Sequence, residues 1–389
     1  MSKIKDSLIV KLLAGVFVGI ILGLMLGRGP IQIILTVKEV LGQFIFFCVP
    51  LVIIGFIAPA ITNLKSNASK MLLVTLLIAY LSSVGAAALS TTGGYAIIPH
   101  LNIQNTAQGL RKLPEVLFKL DIPPVMSVIS ALVLSIVLGL TAVWTKSEHV
   151  DVLLKEFNNM ILQVVEKMIV PILPIFIATT FAGLAYEGSI TRQLPVFLKV
   201  IVIVIVGQFI WMAVLYGIAG LISKKNPAEV FKHYVPAYLT AVGTMSSAAT
   251  MPVALKCARK SAVLDDEIVD FTIPICSTIH LCGSVLTETF FCMTISQILY
   301  GQLPTLGTML LFIALLGIFA VGAPGVPGGT VMASLGIVTS VLGFDTSGVA
   351  LLISIFALQD SFGTACNITG DGAIALMLMG IFKREKVSG

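Results

Sequence analysis

Charged side chains are scarce in this sequence. Asp, Glu, Lys and Arg make up 11% of 389 residues, against a hydrophobic fraction of 57%. A water-soluble domain carries about a quarter charged residues, so a soluble enzyme or binding module is excluded and the chain is expected in lipid. The residue-by-residue alternation of a membrane β-barrel is missing too. Helices remain as the spanning form, because in hydrocarbon every backbone N–H and C=O must be satisfied within the protein. The six cysteines, Cys48, Cys257, Cys276, Cys282, Cys292 and Cys366, include no CxxC pair and read as small core residues rather than disulfides. Cys276, Cys282 and His280 lack the spacing of a zinc site, so no structural metal is expected. No single basic patch exists either: the residues behind the net charge of +5 flank apolar runs, which argues for a lipid bilayer and against nucleic acid as partner.

Long apolar runs are plentiful, and the mean hydropathy is +1.04. Leu8–Leu26, Leu72–Leu89, Val125–Val143 and Val200–Ile222 run for about 18–23 residues almost free of charge, close to the ~20 that carry a helix across a ~30 Å hydrocarbon core. Hydropathy and turn signals predict spans near 8–27, 37–62, 69–92, 123–145, 157–186 and 195–222, with 94–122 as a polar external loop. Lys3, Lys5 and Lys11 precede the first run as in a signal peptide. That run is too long for an h-region and has no clean cleavage site, so it is expected to be a retained span. With the amino terminus inside, Lys3, Lys5, Lys11, Lys65, Lys70, Lys146, Lys155, Lys224, Lys225 and Lys232 face the cytoplasm. Arg28, Lys38, Arg111, Lys112, Lys119, Arg192 and Lys199 lie opposite, a bias of ten to seven. Lys256, Arg259, Lys260, Lys383, Arg384 and Lys386 extend it, so both termini are expected on the cytoplasmic side of the cell (inner) membrane.

From about residue 227 the apolar runs are broken at their centres. The first interruption is Gly243 to Pro252, the second Ser277 to Ser284, the third Gly322 to Gly329. Irregular backbone at membrane depth is tolerated only where it is buried in protein or lines a watery cavity, so three breaks point to one shared site. The arms around the first and third, 229–241 with 251–258 and 306–321 with 330–342, are too short to span, and each pair reads as a re-entrant hairpin. Half-helix amino ends at such tips present free N–H groups and partial positive charge, which suits a carboxylate. The sequence therefore divides into a six-helix half, 1–222, and a core, 223–389. The core holds a hairpin near 227–260, a broken helix near 264–300, a second hairpin near 305–342 and a last helix near 346–382.

That last helix carries ionisable groups where each costs several kcal/mol, about 2.5–3.5 for an Asp at a helix centre. At 100° per residue, Phe356, Asp360, Gly363, Thr364, Asn367 and Asp371 fall within about 100° of one another. One face could thus hold an ammonium group, a carboxylate and a cation.

Ser246-Ser247-Ala248-Ala249-Thr250-Met251-Pro252, Gly325-Val326-Pro327-Gly328-Gly329 and Asn367-Ile368-Thr369-Gly370-Asp371, in this order and spacing, resemble the serine-rich motif, second hairpin tip and last-helix motif of the dicarboxylate/amino acid:cation symporters, relatives of the glutamate transporters. The likeness covers essentially the whole chain. It implies an all-α polytopic membrane fold of eight transmembrane helices and two re-entrant hairpins, in which a transport domain slides like an elevator against a scaffold within a homotrimer. It implies no enzyme and no cofactor, only an amino acid and a coupling ion, Na+ and/or H+. Carried over residue by residue, Asp360 takes the substrate amino group and Asn367 its carboxylate, with Thr364 in contact and Ser247 and Val326 offering backbone groups at the tips. Asp371 ligates sodium, with Asn367, Thr278 and His280 as further candidate cation ligands. Glu288 matches the proton-carrying glutamate of the animal relatives.

The departures shape the expected substrate. Gly363 stands where acidic-substrate members carry an arginine, and Phe356 where an aspartate steadies it. An acidic side chain would then be a buried carboxylate without a partner, so a neutral amino acid is expected. His280-Leu281-Cys282-Gly283-Ser284 replaces the family's Asn-Met-Asp-Gly-Thr, which removes a hard oxygen ligand for sodium. The titratable His280 with Glu288 offers a proton route instead. Alternatives are uptake of a dicarboxylate or acidic amino acid with altered coupling, and a channel-like anion conductance. An intramembrane aspartyl protease is disfavoured, because Asp360 and Asp371 lie eleven residues apart on one helix, about 16 Å by rise, too far to share a proton.

Overall fold

A computed structural model describes residues 8–62, 70–101, 103 and 111–387. Lys3, Lys5 and Lys65, used above for orientation, lie outside these residues, as do 102 and 104–110 of the predicted external loop. The first half comprises α1 (Leu8–Met25), α2 (Arg28–Thr62), α3 (Lys70–Ile97), α4 (Val128–Thr145), α5 (Glu148–Glu187) and α6 (Ile190–Ser223). Next come α7 (Val235–Thr244) with α8 (Ser247–Ala258), and the broken pair α9 (Asp266–Ile279) and α10 (Cys282–Tyr300). A second hairpin, α11 (Leu306–Gly322) with α12 (Gly329–Ser340), leads to the final α13 (Thr346–Val387). No strand occurs among the described residues. Seven helical stretches, α1, α2, α3, α5, α6, α9 with α10, and α13, are long and apolar enough to cross a membrane. The 18-residue α4 completes the eight expected spans. The chain is a multi-pass membrane protein.

Several helices start earlier than hydropathy suggested, for local reasons. The second begins at Arg28 rather than 37, with Pro30 in its first turn, where a missing N–H is no loss. The fifth begins at Glu148 rather than 157: Ser147 accepts from Val150 N, and Glu148 and Asp151 sit in the first turn, where the helix dipole favours acids. The sixth starts at Ile190 rather than 195, and α3 runs to Ile97 rather than 92 before a 3-10 turn to Leu101. Within α5, Pro171 lacks an N–H and its ring crowds the carbonyl one turn back. A π turn at Val165–Ile169 immediately before it widens the helix there, and the chain continues to Glu187.

In lipid the hydrophobic effect gives helices no reason to associate, so small residues that allow close approach become decisive. Gly15, Gly19 and Gly23 form such a row on α1. A Cβ on them would lie 2.6, 2.3 and 2.3 Å from the carbonyl oxygens of Pro174, Ala178 and Ala182 on α5. At the centre of the molecule is α13, buried almost without interruption from Val349 to Met379 and packed against α3, α6, the first hairpin, α9 and α10. It runs antiparallel to α10: Gly348 meets the Tyr300 hydroxyl near one end, and Gly363 meets Ser284 towards the other. Both arms of the second hairpin rest on α2, and α12 also touches α4.

Candidate functional site

The first hairpin turns at Met245, whose left-handed backbone (φ 55°) ends α7 and leads into Ser246. Ser246 caps α8 by accepting from Ala249 N at 3.2 Å, and donates its own hydroxyl to the Gly325 carbonyl of the other tip at 2.8 Å. Ala248 N approaches the same carbonyl at 3.4 Å. The two tips, 79 residues apart in sequence, therefore close on each other. Ser247 is buried and Val326 half-buried at this junction.

Below the tips, α13 supplies what the half-helices lack. Gly328 opens α12 and Leu281 opens α10, and neither gives a side-chain cap to the N–H groups left unpaired there. Asp360 Oδ2 accepts from Gly328 N at 2.7 Å. Asn367 Oδ1 accepts from Gly283 N at 2.7 Å and Ser284 N at 3.2 Å, while its Nδ2 donates to Ser284 Oγ at 2.9 Å. Two predicted substrate residues thus serve as caps in trans, with negative or carbonyl oxygen at helix amino ends as the dipole favours. One turn beyond Asn367, Asp371 Oδ1 is 2.9 Å from His280 Nδ1, and His280 Nε2 is 2.9 Å from Ser82 Oγ on α3. Asp360 and Asp371 face different elements and form no dyad.

Thr364 and Phe356 are buried on the same helix. At Gly363 a Cβ would meet Ser284 Cα, N and Oγ, each at 3.3 Å, and at Gly283 one would lie 2.5 Å from Gly363 O, so α13 and α10 pack closely through these two glycines. Thr278 stands apart: it is exposed and its hydroxyl donates to Ile275 O of its own helix. Glu288 is fully buried and accepts from the Ser334 hydroxyl on the second hairpin, leaving its other oxygen without a partner. Among the described residues, Glu288, Asp360 and Asp371 are buried while no lysine or arginine is.

Four residues of this locus carry no motif and escaped sequence reasoning: Ser82, Ser334, Gln208 and Gln359. Gln208 donates to Thr287 at 2.8 Å. Gln359 is wholly buried with both amide atoms unpartnered. It lies one turn from Gly363 as Glu288 lies one turn from Ser284, which places the two at one level of the antiparallel pair. Serine and glutamine in apolar helices were the available signal, but many of them also occur away from the site.

Comparison with known proteins finds relatives among amino acid transporters. Excitatory amino acid transporter 2 of Mus musculus is 29% identical over 241 residues, covering 60% of this chain and 41% of the relative. Excitatory amino acid transporter 1 of Homo sapiens is 28% identical over 226 residues, 56% of this chain and 41% of the relative. A putative sodium-dependent excitatory amino acid transporter, glt-6 of Caenorhabditis elegans, is 30% identical over 164 residues, 42% of this chain and 30% of the relative. The matched part of the chain spans about two fifths of the first two relatives. The model of the sodium:dicarboxylate symporter family, whose members are transporters and not enzymes, matches residues 8–381. With nearly the whole chain so matched and both hairpins, the broken helix and the last helix in place, this protein belongs to the sodium:dicarboxylate symporter family.

Proposed function

We propose that the chain carries a neutral amino acid across the membrane together with a cation, Na+ and/or H+, by alternating access. The observation that carries this reading is the closure of two hairpin tips on each other over Asp360 and Asn367. Lifting the second tip withdraws Gly328 N from Asp360 and frees the carboxylate for a substrate ammonium group. Asn367 Nδ2 keeps one proton beyond the one given to Ser284, available to a substrate carboxylate. The neutral side chain follows from electrostatics. With three buried acids, no buried lysine or arginine among the described residues, and the buried His280 already engaged by Asp371, a second substrate carboxylate would enter hydrocarbon depth unpaired. The relatives' names speak of excitatory amino acids; Gly363 and Phe356 are where this chain departs from the arginine and aspartate of acidic-substrate members.

In this reading Glu288, reached by Ser334 of the moving hairpin, is the proton carrier. The chain works as a homotrimer with cytoplasmic termini, and 223–389 together with helices of 1–222 forms the sliding unit. Uptake of a panel of labelled amino acids into proteoliposomes, with sodium and proton gradients imposed separately, tests it. Saturable, gradient-driven uptake of neutral amino acids is expected. Strong aspartate uptake would overturn the substrate reading, and flux without exchange of labelled for unlabelled solute would indicate a channel.

A further inference from the structure

We propose that His280 is a tethered occupant of the cation locus beside Asp371: its imidazole holds the carboxylate oxygen that a sodium ion would need, and no sodium binds there. A carboxylate at this depth requires a cation or donors, and Asp371 has found an N–H from its own chain. Asp371 and His280 are both essentially without exposure, and their atoms are 2.9 Å apart. The ring is fixed from its far side as well, by Ser82 at 2.9 Å.

The backbone is shaped for this arrangement. His280 sits at the break between α9 and α10 with extended dihedrals (φ −108°, ψ 98°), which frees its side chain from either helix's direction. On α13, Gly370 leaves a notch beside the carboxylate: a Cβ there would lie 2.7 Å from His280 Cε1 and 3.5 Å from Nδ1. A side chain at 370 and the ring could not both occupy this space.

The donor set then argues against an alkali ion. Hard cations take oxygen ligands. At Asp371 Oδ1 the partner is a ring nitrogen whose proton points where an ion would sit. Ser82 Oγ is engaged by the same ring, and Cys282, two residues on, offers sulfur. Of these groups only Asp371 Oδ2 is left without a partner. Any sodium that drives transport must therefore bind elsewhere in the protein. Removing the ring would release Oδ1 and Ser82 Oγ together and leave a cluster of oxygens.

The test uses purified full-length protein and its thermal unfolding in NaCl against choline chloride, for wild type, D371N, H280N and H280N/D371N. The proposal expects D371N to leave the wild-type sodium response unchanged. It expects H280N, which puts an amide oxygen at the break, to gain a saturable upward shift of Tm in sodium that the double variant loses. A D371N chain that loses a sodium response present in the wild type would overturn it, as would a folded H280N with no gain. Should H280N fail to fold, the D371N comparison decides alone. The sodium locus matters to coupling only if the symporter reading holds, so amino acid exchange by wild-type proteoliposomes is measured alongside. Absence of exchange there strikes that reading and leaves the assignment of His280 intact.

Discussion

Asn367 is a structural residue in its own right. It ties α13 to the start of α10 through three hydrogen bonds, capping N–H groups that no residue of α10 can satisfy. Asn367→Ala is expected to abolish exchange and to destabilise the fold by about 1–3 kcal/mol, the penalty for leaving buried donors unpaired, visible as a lower Tm. Gly363→Arg makes a sharper case. The sequence comparison alone treats this position as a missing arginine, which suggests that restoring it would restore acidic substrates. Even a Cβ at 363 would stand 3.3 Å from the Ser284 backbone, so the variant is expected to lose thermal stability and neutral amino acid uptake. Unimpaired stability with new aspartate uptake would show that the arginine finds a pocket after all. Glu288→Gln is expected to spare exchange while stopping net uptake driven by a proton gradient, read in the same vesicles. At this scale Asp360, Asn367 and Asp371 were legible, because acids and amides inside an apolar helix announce themselves by their cost. The pairing of His280 with Asp371 was not, since 91 residues separate them and only the fold makes them neighbours.

Among the elements, the breaks were the easiest to read and the helix starts the hardest. Clustered Gly, Pro and Ser at membrane depth favour a break where the backbone is buried, so interruptions were expected within 243–252, 277–284 and 322–329, and the helices stop and restart at 245–246, 280–281 and 323–328. The start of α5 is amphipathic, with Ser147, Glu148 and Asp151 marking an amino end by capping rather than by hydropathy, and a hydropathy window passed over it. The row Gly15, Gly19, Gly23 was present in the sequence at one-turn spacing, yet its meaning depends on the carbonyls of α5 lying opposite. Gly19→Leu is expected to push α1 off α5, since even a Cβ there would stand 2.3 Å from Ala178 O, and to lower Tm clearly in detergent. Gly217→Leu, with open space around its Cβ, is the matched control and is expected to change Tm little.

For the whole molecule, the decisive property is that two hairpins far apart in sequence seal one site laid along the last helix. The match to the symporter family explains why these elements recur together, and the proposal of a neutral substrate rests on there being no buried lysine or arginine among the described residues. If transport requires the tips to part, holding them shut must stop it. A Cβ at Gly325 would lie 3.6 Å from Ser247 Cβ, within disulfide range, although also 2.9 Å from Ser277 O, so a small shift must accompany the bond. The six native cysteines are buried and can stay. In S247C/G325C proteoliposomes the account predicts that oxidation brings amino acid uptake down to background and that reduction restores it. Full uptake with the cross-link complete would contradict the claim that these two tips gate the site.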